Sequence, residues 1–377
     1  MIPFNKPYLS GKELEYIKDA VISGKISGNG SFTQKCQNYF EKEYSFKKTL
    51  LTNSCTQALE MAALLIDIQP GDEVIIPSYT FVSTANPFVS RGARVVFVDS
   101  QKTSPNLDAE LIEELISNKT KAIVPVHYAG ISCDMNKIMQ LANKHNLYVI
   151  EDAAHSIDSK YNDRPLGGIG HLGVFSFHET KNLNCGEGGL LVINDEKFIE
   201  RAEVIWEKGT NKVDFHNGKV DKYEWIDVGS SFYPSEIVAA FLYAQIKNFQ
   251  VIQNKRIQIW NYYNKNLSVI KDEVEFPHIH KYASINGHIF FLVLSNIQER
   301  NNFLDYMKKC GILSVFHYQS LHSSPYYQNK HDGRELKYAD KYSNQLVRLP
   351  LFFELNDQEL YFIVKSIKDF FKKNSKV

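Results

Sequence analysis

The sequence has no excess of charge of either sign, because 43 lysine and arginine residues balance 43 aspartate and glutamate residues. It therefore produces no general basic field, and we expect no nucleic-acid partner. No apolar run reaches the roughly 18 residues of a membrane span. Residues 1–7 contain no apolar core of signal-peptide length. We accordingly expect no membrane association and a cytoplasmic location.

Several familiar motifs are also missing. The five cysteines are odd in number and form no Cys-x-x-Cys pair, which is typical of reduced thiols rather than of disulfides or a zinc site. The sequence contains no Walker loop and no GxGxxG motif after a strand. His178 and Glu179 begin an HExxH motif, but Asn182 stands where the second histidine belongs. We therefore expect no metal site.

Short apolar runs alternate with longer helical patterns after residue 50. The apolar runs predict strands at residues 72–76, 94–98, 122–126, 148–150, 173–177 and 190–193. Residues 56–66 and 134–145 repeat apolar side chains at helical spacing. This alternation is typical of a mainly parallel sheet covered by helices, so the predicted fold class is α/β.

The length of 377 residues favours two domains. We predict a long helix over residues 235–267, a strand over 288–294 and a final helix over 357–371. These elements indicate a smaller C-terminal α+β domain whose boundary lies inside the long helix. The predicted domains are residues 1–250 and 251–377.

Lys181 lies in a polar turn between two predicted strands, at residues 173–177 and 190–193. Lysine forms a Schiff base with pyridoxal phosphate, and it does so best when partial burial lowers its pKa. A solvated surface lysine is the ordinary alternative for such a position. Ligands of parallel sheets bind beyond the carboxyl ends of the strands. The residues after the neighbouring strands therefore indicate whether Lys181 binds a cofactor or is a surface lysine.

Asp152 and His155 follow the strand predicted at residues 148–150. An aspartate here could keep the pyridine nitrogen of pyridoxal phosphate protonated, which makes the ring an electron sink. It could equally cap the next helix. His155 could face the cofactor or pack in the core. After the strand at residues 72–76, Tyr79 or Phe81 offers a flat surface for a ring, although such aromatics are more often core residues.

Two further strand ends carry small polar residues. Ser54, Cys55 and Thr56 open a predicted helix, where free backbone N–H groups and hydroxyls can hold a phosphate. The alternative is a plain helix cap by Ser54 or Thr56. Ser176, at the end of the strand that precedes Lys181, is a second candidate for the phosphate.

Together these segments resemble the DegT/DnrJ/StrS family of sugar aminotransferases. The resemblance is strongest in PGDEVIIPSYTFVSTAN (residues 70–86), VPVHYAG (124–130), EDAAHS (151–156) and FSFHETKN (175–182). It implies a fold-type-I, aspartate aminotransferase-like structure that binds pyridoxal 5′-phosphate. The implied contacts are Lys181 as anchor, Asp152 at the pyridine nitrogen, Phe81 stacked on the ring, His155 near the ring hydroxyl, and Ser54, Cys55, Thr56 and Ser176 at the phosphate.

The resemblance also implies substrates. L-glutamate is the expected amino donor and a nucleotide-linked keto sugar the acceptor, with His317, Tyr318 and His322 as sugar-facing candidates. HETKN, the opening IPFNKP, HYAG and FHY (residues 316–318) are similar to family members that convert TDP-4-keto-6-deoxy-D-glucose to TDP-4-amino-4,6-dideoxy-D-galactose. A homodimer with shared active sites is implied as well. Tyr233 stands where many members have an asparagine that reaches the partner's phosphate site.

Other functions within the same fold stay open from the sequence. The segment NLNCG (residues 182–186) has the length found in a member that acts on a UDP-linked sugar, so UDP-linked and 3-keto acceptors are alternatives. A non-catalytic regulatory protein of this fold is another. A sugar dehydratase of the family is disfavoured, because a histidine takes the place of the lysine there.

Overall fold

The computed structural model describes residues 1–216 and 218–374. Its strands are β1 (Lys48–Thr52), β2 (Glu73–Pro77), β3 (Arg94–Val98), β4 (Thr120–Ile123), β5 (Tyr148–Asp152), β6 (Lys160–Tyr161), β7 (Arg164–Pro165), β8 (Leu172–Ser176), β9 (Gly189–Ile193), β10 (Phe291–Val293), β11 (Val315–Phe316) and β12 (Leu346–Arg348). Its α-helices are α1 (Glu13–Ile22), α2 (Ser31–Tyr44), α3 (Cys55–Leu65), α4 (Asn86–Val89), α5 (Met135–His145), α6 (Ile199–Trp206), α7 (Lys212–His216), α8 (Glu236–Lys247), α9 (Phe249–Asn266), α10 (Ile297–Lys309), α11 (Lys337–Gln345) and α12 (Asp357–Asn374).

Seven strands form the central sheet in the order β1-β9-β8-β5-β4-β2-β3. Strand β9 runs antiparallel to β1 and β8, and the other neighbouring pairs are parallel. The carboxyl ends of β1, β8 and β5 therefore meet at one edge of the sheet. Thr52, Ser176 and Asp152 end these strands, so the polar segments that follow them lie close together.

The central strands are buried on both faces, as their apolar runs predict. One face packs on α3 and the residues around it, and the opposite face packs partly on α2 and α8. Strand β4 ends three residues before the predicted end at residue 126, because Pro125 has no N–H to continue the ladder. The mainly parallel α/β sheet predicted from the sequence is present.

A second sheet has the order β10-β12-β11. Its core includes Trp260, Tyr263, Phe303 and Ile363 from the helices α9, α10 and α12. The predicted strand at residues 288–294 is shorter in the structure, since pairing covers only Phe291–Val293. The final helix extends to Asn374 rather than ending at residue 371.

The prediction of one continuous helix over residues 235–267 is wrong. Asn248 has φ −108° and ψ 6°, outside the helical range, and separates α8 from α9. Its side-chain amide donates to the carbonyl of Ala244, a local bond by which asparagine competes with the helix backbone. The predicted domain boundary at residue 250 falls just after this break, and the division itself stays a prediction.

Within the described ranges 1–216 and 218–374, no helix combines the length and apolar character needed to cross a membrane.

Candidate active site

Lys181 lies in the turn between the antiparallel strands β8 and β9, and its backbone N–H donates to the carbonyl of His178 at 2.9 Å. Its side chain lines a cavity of about 600 Å³ at the carboxyl edge of the sheet. Burial lowers the pKa of Lys181 to about 8, and the nearby positive charge of Arg348 contributes in the same direction. A pKa of about 8 leaves a fraction of this amine neutral near neutral pH, far more than for an ordinary lysine.

Asp152 lies at the end of β5 and is 5% exposed at the same cavity. The Thr84 hydroxyl donates to its Oδ2 at 2.8 Å, and the Ala154 N–H donates to its Oδ1 at 3.2 Å. Burial raises the pKa of Asp152 despite these bonds. Its carboxylate forms no ion pair with the described residues, so a cationic ring nitrogen would supply the positive partner that it lacks.

Ser54, Cys55 and Thr56 lie at the amino end of α3 and line the cavity. Ser54 caps the helix, because its Oγ accepts from the N–H of Gln57 at 3.2 Å. The cap uses only one of the N–H groups in the first turn, and these groups have no partner within the helix. Ser54 can therefore cap α3 while other N–H groups of this turn bind a phosphate. Thr56 Oγ1 donates to Ser83 Oγ at 2.8 Å.

Gly189 explains why β9 can approach this helix end so closely. A Cβ atom at Gly189 would lie 2.4 Å from the carbonyl carbon of Ser54 and 2.5 Å from the backbone nitrogen of Cys55. Ser176, on the neighbouring strand β8, also lines the cavity, and its Oγ accepts from the N–H of His178. Glycine at position 189 thus brings the α3 amino end and the β8 end into one polar cradle.

Phe81 and His155 line the cavity from two further loops. The Phe81 ring is 54% exposed and its centre is 5.9 Å from that of Tyr318. The His155 ring is parallel to Tyr318, and its Nε2 lies 3.4 Å from the Tyr318 hydroxyl. Burial holds the pKa of His155 well below its usual range, so this ring is neutral.

Of the three sugar-facing candidates, His317 and Tyr318 line the cavity, and His322 does not. His322 Nδ1 lies 2.8 Å from Ser78 Oγ, and its Nε2 lies 3.6 Å from Asp340 Oδ2. Its ring therefore attaches the segment after Tyr318 to the end of β2.

The cavity wall also contains residues that were not predicted from the sequence, among them Phe4, Thr84, His288 and Arg348. Arg348 carried a signal, because it interrupts an apolar run between Val347 and Leu349. His288 Nδ1 lies 2.9 Å from Asn182 Oδ1. Phe4 and Thr84 gave no comparable signal.

The residues around the cavity fit pyridoxal 5′-phosphate. Lys181 suits its aldehyde, Asp152 suits its ring nitrogen, and the amino end of α3 suits its phosphate. No group of three or more metal-binding side chains occurs among residues 1–216 and 218–374. Site and fold together define a pyridoxal-phosphate-dependent enzyme of fold type I.

Residues 7–368 match the DegT/DnrJ/EryC1/StrS aminotransferase family, and the chain belongs to this family. GDP-perosamine synthase of Escherichia coli O157:H7 is 31% identical over 374 residues, with 98% of each chain covered. Spr1654 of Streptococcus pneumoniae in its PLP form matches with a TM-score of 0.90 and 26% identity over 99% of both chains. Helicobacter pylori PseC, an aminotransferase involved in the biosynthesis of pseudoaminic acid, matches equally well, with a TM-score of 0.90 and 26% identity over 99% of both chains.

The protein is thus a pyridoxal-phosphate-dependent sugar aminotransferase. The family, the fold type and the cofactor inferred from the sequence are confirmed.

Proposed function

We propose that the enzyme transfers the amino group of L-glutamate to TDP-4-keto-6-deoxy-D-glucose and forms TDP-4-amino-4,6-dideoxy-D-galactose for a cell-surface polysaccharide. One observation carries the proposal: three of the four segments similar to that transaminase line one cavity, and the fourth contacts a residue of its wall. Phe4 of IPFNKP, Lys181 of HETKN and His317 of FHY line it. Tyr128 of HYAG places its hydroxyl 3.5 Å from His317 Nδ1.

The size of the cavity and the relatives support a nucleotide-linked acceptor. A volume of about 600 Å³ lies within the range of about 300–1,000 Å³ typical of small-molecule sites. GDP-perosamine synthase, one of the similar proteins, is named for a nucleotide-linked sugar. UDP-linked acceptors are the second candidate, because the segment NLNCG has the length of a UDP-specific member.

In the proposed reaction, L-glutamate gives up its amino group and leaves as 2-oxoglutarate, and the keto sugar exchanges its carbonyl oxygen for that amine. Pyridoxal phosphate, when bound, would supply the electron sink for the reacting carbon and the aldehyde group that accepts the amine. Lys181 moves the proton at the reacting carbon, for which a pKa of about 8 is well suited. Asp152 keeps the ring nitrogen protonated, and Ser54, Cys55, Thr56 and Ser176 hold the phosphate.

His317 and Tyr318 are the proposed sugar contacts. Both line the cavity, and in the sequence they lie between β11 and His322, whose ring contacts Ser78. His322 does not contact the sugar in this proposal. It positions the segment that contains His317 and Tyr318. Phe81 and His155 flank the ring of the cofactor in the proposal.

We also propose a homodimer that shares its active sites and works in the cytoplasm. Several apolar side chains are exposed and would be covered by a second subunit. Phe81 is 54% exposed, Val82 45% and Trp225 82%. Five free cysteines fit a reducing compartment. Sedimentation equilibrium should give twice the chain mass of 43.3 kDa; a monomer with full activity would contradict the shared site.

The test of the acceptor is a substrate panel. The holoenzyme is incubated with L-glutamate and TDP-, UDP- and GDP-linked 4-keto and 3-keto sugars, and the product is identified by NMR. We expect amination at C4 of the TDP-linked 4-keto-6-deoxy sugar, with the galactose configuration. Preference for another nucleotide, or amination at C3, would overturn the proposed acceptor and leave the aminotransferase class unchanged.

A further inference from the structure

His288 is a buried histidine of the cavity wall, and one nitrogen of its ring is free. The residue lies just before β10 and is only 3% exposed, yet it lines the same cavity as Lys181. Its Nδ1 lies 2.9 Å from Asn182 Oδ1. Among residues 1–216 and 218–374, its Nε2 has no hydrogen-bond partner. This nitrogen is therefore available to a ligand in the cavity.

The orientation of the Asn182 side chain is fixed by its neighbours. Its Nδ2 donates to Gln253 Oε1 at 3.0 Å and to the backbone carbonyl of Asn286 at 2.9 Å. This carbonyl can only accept, and the Gln253 amide also donates to it at 2.7 Å. The nitrogen of Asn182 must therefore face the carbonyl. Its oxygen consequently faces His288, and this oxygen can only accept a hydrogen bond.

This arrangement sets the tautomer of His288. Its Nδ1 must carry the proton, because the partner is an oxygen that only accepts. Burial holds the pKa of His288 well below its usual range, and the nearby His155 and Lys181 act in the same direction. The ring is therefore neutral and has a single N–H. Its Nε2 is left as an obligatory hydrogen-bond acceptor.

His155, the neighbouring ring, has the opposite polarity. The N–H of Ala129 donates to its Nδ1 at 3.3 Å, so the proton of this neutral ring lies on Nε2. The centres of the His155 and His288 rings are 4.7 Å apart. Of this pair, only His288 can accept a hydrogen bond from a substrate.

The position of His288 beside Lys181 indicates which substrate group donates to it. Asn182, which holds the His288 ring, follows Lys181 directly in the chain, so Nε2 lies near the reacting carbon. In a 4-keto-6-deoxy sugar, C3 next to the carbonyl carries a hydroxyl, and C5 carries a methyl group and the ring oxygen. Only the C3 hydroxyl can donate. The carboxylates of glutamate only accept.

We infer that His288 Nε2 accepts a hydrogen bond from the hydroxyl next to the carbonyl of the sugar acceptor, which is the C3 hydroxyl in a 4-keto sugar. The inference rests on the proposed acceptor and adds a residue that recognises it. His288 then contributes to the half-reaction with the sugar and not to that with the amino acid. Asn182 and Gln253 are positioning residues, because they fix the tautomer of His288.

Two substitutions separate the two nitrogens of His288. The amide of asparagine reaches the place of Nδ1, so His288→Asn keeps a donor for Asn182 and lacks the acceptor. Glutamine reaches the place of Nε2, so His288→Gln keeps an acceptor there. We expect His288→Asn to lower the rate constant per sugar concentration on the order of 5- to 100-fold, because a buried hydroxyl loses its partner. His288→Gln should recover part of this loss.

The two half-reactions are measured separately. Enzyme loaded with pyridoxamine 5′-phosphate is mixed with TDP-4-keto-6-deoxy-D-glucose, holoenzyme is mixed with L-glutamate, and cofactor absorbance is followed in single turnovers. In His288→Asn the glutamate half-reaction should change less than about threefold. His278 is exposed and does not line this cavity, so the control His278→Asn should change neither half-reaction. Cofactor absorbance and the unfolding temperature show that each variant is folded and loaded.

Sugars that lack one hydroxyl identify the group that His288 binds. In the wild-type enzyme the 3-deoxy analogue should react more slowly than the parent sugar, by a factor similar to the effect of His288→Asn. In His288→Asn this difference should largely disappear, while any penalty for the 2-deoxy analogue stays as in the wild type. The amino-sugar product cannot react with the pyridoxamine 5′-phosphate form. Calorimetric titration of that form with the product and its 3-deoxy analogue therefore gives the same comparison for binding.

The outcomes distinguish this inference from the proposed function. If the wild-type enzyme does not aminate the TDP-linked 4-keto sugar, the proposed acceptor is wrong. The comparison is then made with the acceptor that the substrate panel identifies and with its analogue that lacks the hydroxyl next to the carbonyl.

Three results would overturn the inference itself. The first is equal reaction of the wild type with the acceptor and its deoxy analogue, which needs no variant. The second is a His288→Asn enzyme that still distinguishes these two sugars as the wild type does. The third is an equal loss in both half-reactions, because His288 would then bind a group common to both, such as the amine.

Discussion

At the residue scale, the low pKa of Lys181 predicts a pH dependence. The neutral amine attacks the cofactor aldehyde, so the rate of cofactor uptake by the apoprotein should rise about tenfold per pH unit and level off near pH 8. An ordinary lysine would level off near pH 10.4. The measurement is the growth of cofactor absorbance after mixing, from pH 6 to 10. Lys181→Ala should show neither this absorbance nor turnover, and a variant with normal activity would refute the assignment.

Asp152 supports a second prediction. Asp152→Asn removes the negative charge that faces the ring nitrogen, and the loss of a charge-assisted hydrogen bond costs about 1.5–3 kcal/mol. We expect cofactor affinity to fall on the order of 10- to 100-fold, with a slower proton transfer, measured by equilibrium titration and single turnovers. Thr84→Val removes one bond to the same carboxylate and should have a smaller effect. Equal affinities of Asp152→Asn and wild type would contradict the role.

At the element scale, Glu236 joins the helices α2 and α8. It begins α8, is 1% exposed, and accepts from the N–H groups of Gly30, Phe32 and Thr33 at the start of α2 at 2.7–3.0 Å. Glu236→Gln places an amide against these donors. We expect a loss of about 1.5–3 kcal/mol in the free energy of unfolding, measured with denaturant. As a control, Glu335→Gln at an exposed loop position should change the free energy of unfolding by less than about 0.5 kcal/mol. If Glu236→Gln and the wild type had the same denaturant midpoint, Glu236 would not join the two helices.

The elements differ in how well their sequences predict them. Strands β2, β3 and β9 match their apolar runs to within a residue at each end, because both faces of each strand are buried. The break at Asn248 could not be predicted from apolar spacing, since α8 and α9 both repeat apolar residues at helical intervals. The helices α1 and α2, which pack against α8, were not predicted, although Phe32, Cys36, Phe40 and Tyr44 of α2 repeat at helical spacing.

At the scale of the whole molecule, the cavity combines residues that are predictable with residues that are not. Lys181, Asp152 and Ser54 follow strand ends of a parallel sheet, and this topology alone brings them together. Arg348 and Phe4 approach from the small sheet and from the first residues of the chain. Their position depends on how β12 and residues 1–8 pack against the large sheet, which spacing within one segment does not encode.

This division of the cavity wall predicts that the cofactor stabilises the large and small sheets together. Lys181 and Asp152 belong to the large sheet, and Arg348, His317 and Tyr318 belong to the small sheet or its loops. A ligand that binds only the folded protein adds about 2.7 kcal/mol at 100 times its Kd. In calorimetry, pyridoxal phosphate should therefore raise the temperature of a single unfolding transition, and Lys181→Ala should show a smaller rise because it lacks the covalent anchor. If the apoprotein instead shows two transitions and only the one assigned to residues 1–250 shifts, the small domain unfolds independently and does not contribute to holding the cofactor.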